Sequence, residues 1–473
     1  MAEQPKGRAV GAMENSWCRA VPGGTGITVL GFDISKAPDM VKYQTALHKL
    51  QNAHPILNSR LHTNTKANTF SFVTSPTPFV QIKTLDLSST LEILETLSNP
   101  SNSSVSPFHL ILEYELNQNT WTKTTSSSSS SPPNDHDMFF GTIYTLPDAK
   151  WVAVMRFHVA ACDHTTAETM LRELLGFLTS ADDGDDGGEG KGIVKETGNK
   201  GEANFGIEDL VPARVAKKPF WSRGGDMISY SLNTVRLSSL KFKDYKSVRS
   251  SQVVRFQMNQ DETKRILTGC KAREIKLCGA LVAAGLIAAD KCSKPNQKKK
   301  YGVLTLIDCR SDLDPALSIH HFGNYHSIIP LVHTIKGGEN LWELAKKTYT
   351  AFANSKKNDK HFTDLATLSF VMCKAIDNPA LTPSSSLRTS FMTVFEDTII
   401  DDYNDIQREL GVDDYIGCSS VHGIGPSIAV FDTIRNGRLD CVCVYPTPLH
   451  SREQMLELVD NMKKILVDCD SKR

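Results

Sequence analysis

Residues 157–164 read Phe-His-Val-Ala-Ala-Cys-Asp-His, and the organisation of the chain is decided around this octet. Just before it, Trp151-Val152-Ala153-Val154-Met155 is an apolar run of strand length. Just after it, Thr165-Thr166-Ala167-Glu168 has capping-box spacing, and Met170, Leu171, Leu174, Leu175 and Leu178 recur at helical intervals. The octet is therefore predicted to be a tight strand-to-helix turn that carries a His, a buried Cys and an Asp.

That arrangement resembles the HHxxxDG motif of the superfamily that includes chloramphenicol acetyltransferase, condensation domains and BAHD acyltransferases. Aligned on Asp163, the first motif His is His158. The second, which is the family's general base, falls on Val159, and the motif Gly falls on His164. A second stretch carries the same resemblance. The strand-like run Val303-Leu304-Thr305-Leu306-Ile307 leads into Asp308, Arg310, Pro315 and the Phe322-Gly323-Asn324 turn, similar to the BAHD stretch with its D-x-R element and FGN turn. Leu50, His54-Pro55-Ile56-Leu57 and Arg60-Leu61 are similar to the opening of condensation-type domains. The BAHD DFGWG element is absent. The nearest phrase, Val421-His422-Gly423-Ile424-Gly425-Pro426, is closer to condensation-domain members.

The resemblance implies an α/β fold of two chloramphenicol-acetyltransferase-like domains with a tunnel at their interface. The domains are expected at residues 1–180 and 251–473, with 181–250 as a flexible crossover linker. It also implies an acyl donor carried as a thioester on coenzyme A or a carrier protein, with acyl-CoA as the expected co-substrate, and a small hydroxyl or amine acceptor. No bound cofactor or metal is expected. In the family the motif Asp pairs with an Arg and does not touch substrate, roles that Asp163 and Arg310 fit; Asp163 also reads as an N-cap of the following helix.

Val159 cannot move a proton, and losing a general base costs about two to four powers of ten. Holding two substrates together still supplies several kcal/mol. His158 and His164 are the catalytic candidates. If the strand persists through the motif, His158 faces away from the tunnel and reads as a structural core residue. His164 stands where the family has Gly, so its side chain narrows the channel or works in it. Cys162 reads as a small buried residue or a nucleophile. Val159, Cys162, Asn324, His326 and His422 are the candidate tunnel-lining residues. Three classes of function follow: acyl transfer, ligand or partner binding in an inactive tunnel, and a different reaction in that tunnel.

Composition bounds the rest. The chain has 473 residues, too many for one ordinary core, with 40% hydrophobic and 22% charged residues. Its 53 basic and 53 acidic side chains balance, which argues against a general nucleic-acid binder. Lys298-Lys299-Lys300 reads as a solvated loop. The 11 cysteines are scattered without CxxC pairs, so reduced core thiols are expected and no zinc site. Neither an apolar leader nor a run of about 18 apolar residues is present, so a cytoplasmic monomer is expected, with no membrane partner.

Further along, Met40 to Leu50 has helical periodicity, and Ile27, Val29, Leu30 and Phe32 mark a strand. Thr124–Pro133 and Ala181–Lys200 lack the apolar content to offset ordering entropy and read as mobile, and Pro219-Phe220-Trp221 is a possible anchor in the link. In the second half Val254, Phe256 and Met258 alternate as in a half-buried strand. Asp261-Glu262-Thr263 starts a helix, and Lys276–Ala289 is a small-residue core helix. Strands are expected at 391–395, 427–431 and 438–445, and a closing amphipathic helix over 452–467.

Overall fold

The apolar run before the motif lies within the strand Lys150–His158, whose alternate side chains enter two different cores. Ala153, Met155 and Phe157 enter one, and Val152 and Val154 the other, as the two-residue period of a strand requires. In the computed structural model the described residues are 7–64, 66–67, 69–97, 105–122, 135–179, 205–215, 237–291 and 298–468. The segments 124–133 and 181–200 and Pro219-Phe220-Trp221 lie outside them.

Lys150–His158 is the middle strand of a five-stranded sheet ordered Val412–Val421, Thr25–Ile34, Lys150–His158, Phe139–Leu146, Ile82–Leu85. The helices Met40–Ala53 and His164–Thr179 cover one face through Leu47, Leu50, Met170, Leu171 and Leu174. The helices Leu87–Leu97 and Pro107–Leu116 cover the other, through Leu94, Phe108 and Leu112. A small four-stranded sheet, which includes Ser59–Asn64 and Thr69–Thr74, flanks this lobe.

The second lobe is built on a seven-stranded sheet whose path runs His326–Ile335, Lys299–Asp308, Arg388–Phe395, Gly425–Arg435, Arg438–Thr447, Ser250–Gln257. Against one face lie the helices Gln260–Ala272, Leu277–Lys291, Leu341–Lys357 and Arg452–Val467. Leu277–Lys291 is apolar on every side because it is enclosed on every side. A Cβ on Gly279 would meet Tyr349 Cβ at 2.9 Å, and one on Gly285 would meet Met392 Cε at 2.2 Å. The small residues let neighbouring elements approach that closely.

The two lobes share a core. Val253, Phe395, Ala429, Phe431, Val442 and Val444 from the second sheet pack with Val29, Val152, Val154 and the helix Pro107–Leu116 of the first. At the edge of that core, Glu113 forms a buried pair with Arg452 at 2.7 Å and accepts from Val253 N at 2.8 Å. The strand Val412–Val421 comes from the second half of the chain but pairs antiparallel with Thr25–Ile34 in the first sheet. Division by chain position alone therefore misassigns this strand.

Val254, Phe256 and Met258, in and just after Ser250–Gln257, face one way into the second lobe's core as expected, and Val253 on the opposite face enters the shared core. Other expectations change for local reasons. Lys299 and Lys300 begin a strand rather than a solvated loop, and Lys299 Nζ reaches Asp290 at 2.8 Å. Trp17-Cys18-Arg19 belongs to a helix, Ala12–Ala20, that the sequence did not announce. The nine described cysteines are free thiols, and Cys441 and Cys443 both enter one core from a single strand face. Among the described residues no helix is long and apolar enough to cross a membrane.

Candidate functional site

After His158 the chain leaves the strand through a hydrogen-bonded turn. Val159 N donates to Gly26 O at 3.0 Å, Ala161 N to His158 O at 2.9 Å and Cys162 N to Val159 O at 3.3 Å. Asp163 then caps the helix His164–Thr179: its Oδ1 accepts from Thr166 N at 2.8 Å, and its carbonyl accepts from Ala167 N at 2.9 Å.

The same carboxylate is the joint between the lobes. Arg310 Nη2 lies 3.0 Å from Asp163 Oδ2, and Tyr325 N donates to that oxygen at 2.9 Å. The guanidinium is only 2% exposed. Its other donors reach Asp308 Oδ1 at 2.9 Å, His321 O at 3.0 Å and Thr166 Oγ1 at 3.0 Å. Capping and pairing, read from the sequence as alternatives, are both made by one carboxylate. Burial by itself pushes the Asp163 carboxyl up. Arg310 and His326 outweigh burial and hold the group well below the usual carboxylate range.

The Phe322-Gly323-Asn324 turn completes the joint. Asp163 N donates to Gly323 O at 3.1 Å, and Asn324 Nδ2 donates to Val159 O at 3.0 Å. Farther out on the same loop, His320 Nδ1 lies 2.8 Å from Glu173, while Phe322 stacks on His54 with ring centroids 3.5 Å apart. Four sequence-predicted residues, Val159, Asp163, Arg310 and Asn324, are thus brought into one network.

The histidines separate by environment. His158 is 0% exposed, lies edge-on to Trp121 with centroids 5.3 Å apart, and accepts from Ala160 N at 3.1 Å. Burial drives its pKa down to about 3. Enclosure beside Trp121 favours the structural reading of His158 over the catalytic one. His164 stacks on Phe395 at 4.0 Å, and burial followed by His326 lowers its pKa to about 3. Its Nε2 is buried without a partner among the described residues. His326 Nδ1 stands 3.0 Å from Asp163 Oδ2 without hydrogen-bond alignment. Cys162 is buried, and burial pushes its thiol well above the usual thiol range.

Val159 packs with Val21, Ile27 and Trp121. It rests on Gly26, whose φ is +91°; a Cβ there would lie 2.6 Å from Val159 Cγ1. Two residues earlier, Gly24 has φ +95°, and a Cβ there would lie 1.9 Å from His422 Nε2. The imidazole of His422 and the side chain of Val159 thus pack against two glycines, Gly24 and Gly26, of one short segment. His422 comes from the turn between Val412–Val421 and Gly425–Arg435 in the second half of the chain. Its Nδ1 shares a hydrogen bond with Ser251 Oγ at 3.0 Å, and that hydroxyl accepts from Val421 N at 2.9 Å. The buried Arg388 guanidinium holds this turn by donating to the carbonyls of Val421, Gly423 and Pro426. Burial, then Arg388 and Arg249, lowers the His422 pKa to about 4.

Ser251 and Arg388 were not foreseen. Neither stands in a motif, and each acquires its role only through partners over thirty residues away. A cavity of about 370 Å³ opens elsewhere, at the carboxyl ends of the parallel strands Lys299–Asp308 and Arg388–Phe395, beside Tyr349, Phe352, Lys356, His361 and Glu396. None of the nine candidate site residues lines it.

Two lobes with a shared core and a motif turn locked across their junction define a chloramphenicol-acetyltransferase-like fold. Solved condensation-type and acyltransferase structures share this fold with the chain. The trichothecene 15-O-acetyltransferase of Fusarium sporotrichioides superposes with a TM-score of 0.69 at 10% identity, over 97% of this chain and 94% of that one. The cyclization–docking bidomain of the EpoB nonribosomal peptide synthetase from Sorangium cellulosum gives 0.65 at 11% identity, over 99% and 86%. The epimerization domain of the third module of tyrocidine synthetase B gives 0.61 at 12% identity, over 98% and 96%. No family model matches the sequence, and no curated protein matches it.

Proposed function

We propose that this protein transfers an acyl group from a thioester donor, acyl-CoA, to a small acceptor held between the lobes. The observation that carries the reading is the Asp163–Arg310 joint. It fixes the strand-to-helix turn at the lobe junction, with Val159 and its glycine ledge immediately before it. Similarity of the whole fold to an acetyltransferase and to peptide-synthetase domains supports the same reading. In it, Asp163, Arg310 and Asn324 are positioning residues that hold the motif turn against the second lobe. Proximity then supplies much of the rate.

One observation favours a second reading. Val159 lies in an apolar nest and offers no proton acceptor, as expected of a relative that binds a ligand without turning it over. A panel of acyl-CoA donors with hydroxyl and amine acceptors separates the two readings. Free thiol released in an acceptor-dependent way supports transfer. Saturable donor binding without release supports the binding role. Absence of both, together with no small molecule retained in native mass spectra, removes both readings.

A further inference from the structure

We infer that the cavity at the carboxyl ends of Lys299–Asp308 and Arg388–Phe395 is a second binding site, and that its ligand is a small zwitterion with an apolar part, an aromatic α-amino acid. Such a site goes beyond the acyl-transfer reading and does not depend on it: none of the motif residues lines the cavity.

Topology places a ligand there. Lys299–Asp308 pairs antiparallel with His326–Ile335 on one side and parallel with Arg388–Phe395 on the other. The chain leaving Lys299–Asp308 returns to the first of these neighbours, while the chain leaving Arg388–Phe395 turns away to Ile399–Asp401, which pairs with Gly425–Arg435. Connections that diverge from two adjacent parallel strands leave a crevice beyond their carboxyl ends, where open α/β sheets bind ligands. The cavity, of about 370 Å³, occupies that crevice. It falls at the lower end of small-molecule sites, about 300–1,000 Å³. At roughly 30 Å³ for each water-sized group, it has room for about a dozen non-hydrogen atoms. Phe395 turns into the shared core, whereas the next residue, Glu396, reaches Lys356 of the helix Leu341–Lys357 at 2.7 Å. The cavity therefore lies on the helix-covered face of the sheet, away from the core that joins the lobes.

The lining points to the ligand class. It carries both signs of charge in equal number, Arg214, Lys356 and Lys357 against Asp312, Asp359 and Glu396. A ligand of one sign is opposed by half of these groups, whereas a zwitterion can face each sign with its opposite. Glu396 is buried between Lys276 at 2.8 Å and Lys356 at 2.7 Å, and the largely exposed Arg214 lies 3.6 Å from Asp359. Tyr349 and Phe352, with ring centroids 6.0 Å apart, give the cavity an aromatic wall suited to a second ring. His361 supplies an independent sign of a ligand. It lines the cavity, is only 3% exposed, and neither of its ring nitrogens has a partner among the described residues. Buried polar atoms are satisfied as a rule. Burial, then Lys356, lowers the pKa of this ring, so at neutral pH it offers one donor and one acceptor. The ammonium and carboxylate of an amino acid can meet both.

Calorimetry and thermal shift on the full chain test the site with three probes of one shape: L-phenylalanine, phenethylamine, which lacks the carboxylate, and 3-phenylpropionate, which lacks the ammonium. L-phenylalanine should bind saturably and raise Tm. Each analogue should bind about tenfold more weakly or worse, the equivalent of one lost charge-assisted hydrogen bond. Ala353→Trp fills the cavity from its wall, and Lys357→Glu reverses a charge on it. Ala353 is part-buried and Lys357 exposed, so Tm without ligand should stay near that of the wild type while L-phenylalanine binding falls by a similar factor. An analogue that binds as tightly as L-phenylalanine overturns the zwitterion assignment. L-phenylalanine binding that survives in both variants puts the ligand elsewhere and overturns the site. No binding of any probe at millimolar concentration overturns the inference altogether, and none of these results bears on acyl transfer between the lobes.

Discussion

Asp163 Oδ2 and Arg310 Nη2 stand 3.0 Å apart in the interior, one on the motif turn of the first lobe and the other beyond a strand of the second. Each satisfies backbone or hydroxyl groups of the other's lobe, so the pair aligns two segments 147 residues apart in the chain. Removing one partner leaves a buried, uncompensated charge, which is where the energetic weight of such a pair lies.

Asp163→Ala should therefore destabilise the fold by about 3–5 kcal/mol, with or without catalytic activity. The sign of the pH dependence follows from the depressed carboxyl. Its contribution is full above the unfolded-state value of about 3.9 and is lost as pH falls below it. Denaturant melts of wild type and Asp163→Asn should differ by a constant amount from about pH 7 to 5 and converge below about pH 4. Equal stability at neutral pH would remove the pair from the account.

Acid should weaken the protein well before that carboxylate titrates. His158 and His164 are held to about 3 and His422 to about 4, whereas an unfolded histidine titrates near 6.5. The unfolded chain takes up protons first, so stability present above about pH 6.5 is lost as pH falls toward the folded values. Each such group contributes a slope of up to about 1.4 kcal/mol per pH unit in that window. His158→Gln should reduce the loss between about pH 6.5 and 4 by one histidine's share, read from urea melts across the range. An unchanged slope would mean that His158 is protonated in the fold.

Val159→His places an imidazole at the family's position for the base. If a thioester and an acceptor bind, acyl transfer should rise by about 10²-fold, and by more with His164→Gly added to open space beside it. Val159 already rests against Gly26 and packs with Val21 and Ile27, so the larger ring should also cost about 1–3 kcal/mol from overpacking. Thiol-release kinetics and Tm measured together check both outcomes. A stable variant with no gain argues that the ledge does not face a bound thioester.

Gly24→Ala tests the ledge from below. The residue has φ +95°, and its new methyl group would overlap the His422 ring. Strain of about 1–3 kcal/mol should lower Tm, and the ring should move. The His422 ring resonances report that movement. Unshifted resonances would show that the ring does not rest on Gly24.

The strand, the turn and the helix around 157–164 were legible in the chain because each has a local cause. A two-residue alternation, an Asp able to bond the backbone two or three residues on, and apolar side chains at helical spacing all act over a few neighbours. The D-x-R and FGN phrases likewise announced a second turn in the right order, and Arg310 and Asn324 are found on the motif. The helix Ala12–Ala20 was not legible, because only its packing against distant elements gives it a buried face. The burial of Val253 on the second face of Ser250–Gln257 was hidden for the same reason: the first lobe's helix covers it.

The sequence by itself determined that the motif turn carries a valine where its relatives carry a base, since that is a fact of covalent identity that no folding alters. Only the tertiary structure brought His422 to the glycine segment against which that valine also packs. His422 is more than 260 residues away along the chain, and nothing local to it points to the motif. It arrives because the strand Val412–Val421 crosses into the first sheet, Arg388 anchors the turn that follows, and Gly24 leaves room for the ring. Hydrogen-bond register across a sheet and steric room above a glycine are properties of assembled elements, and they exist only once the two lobes have met.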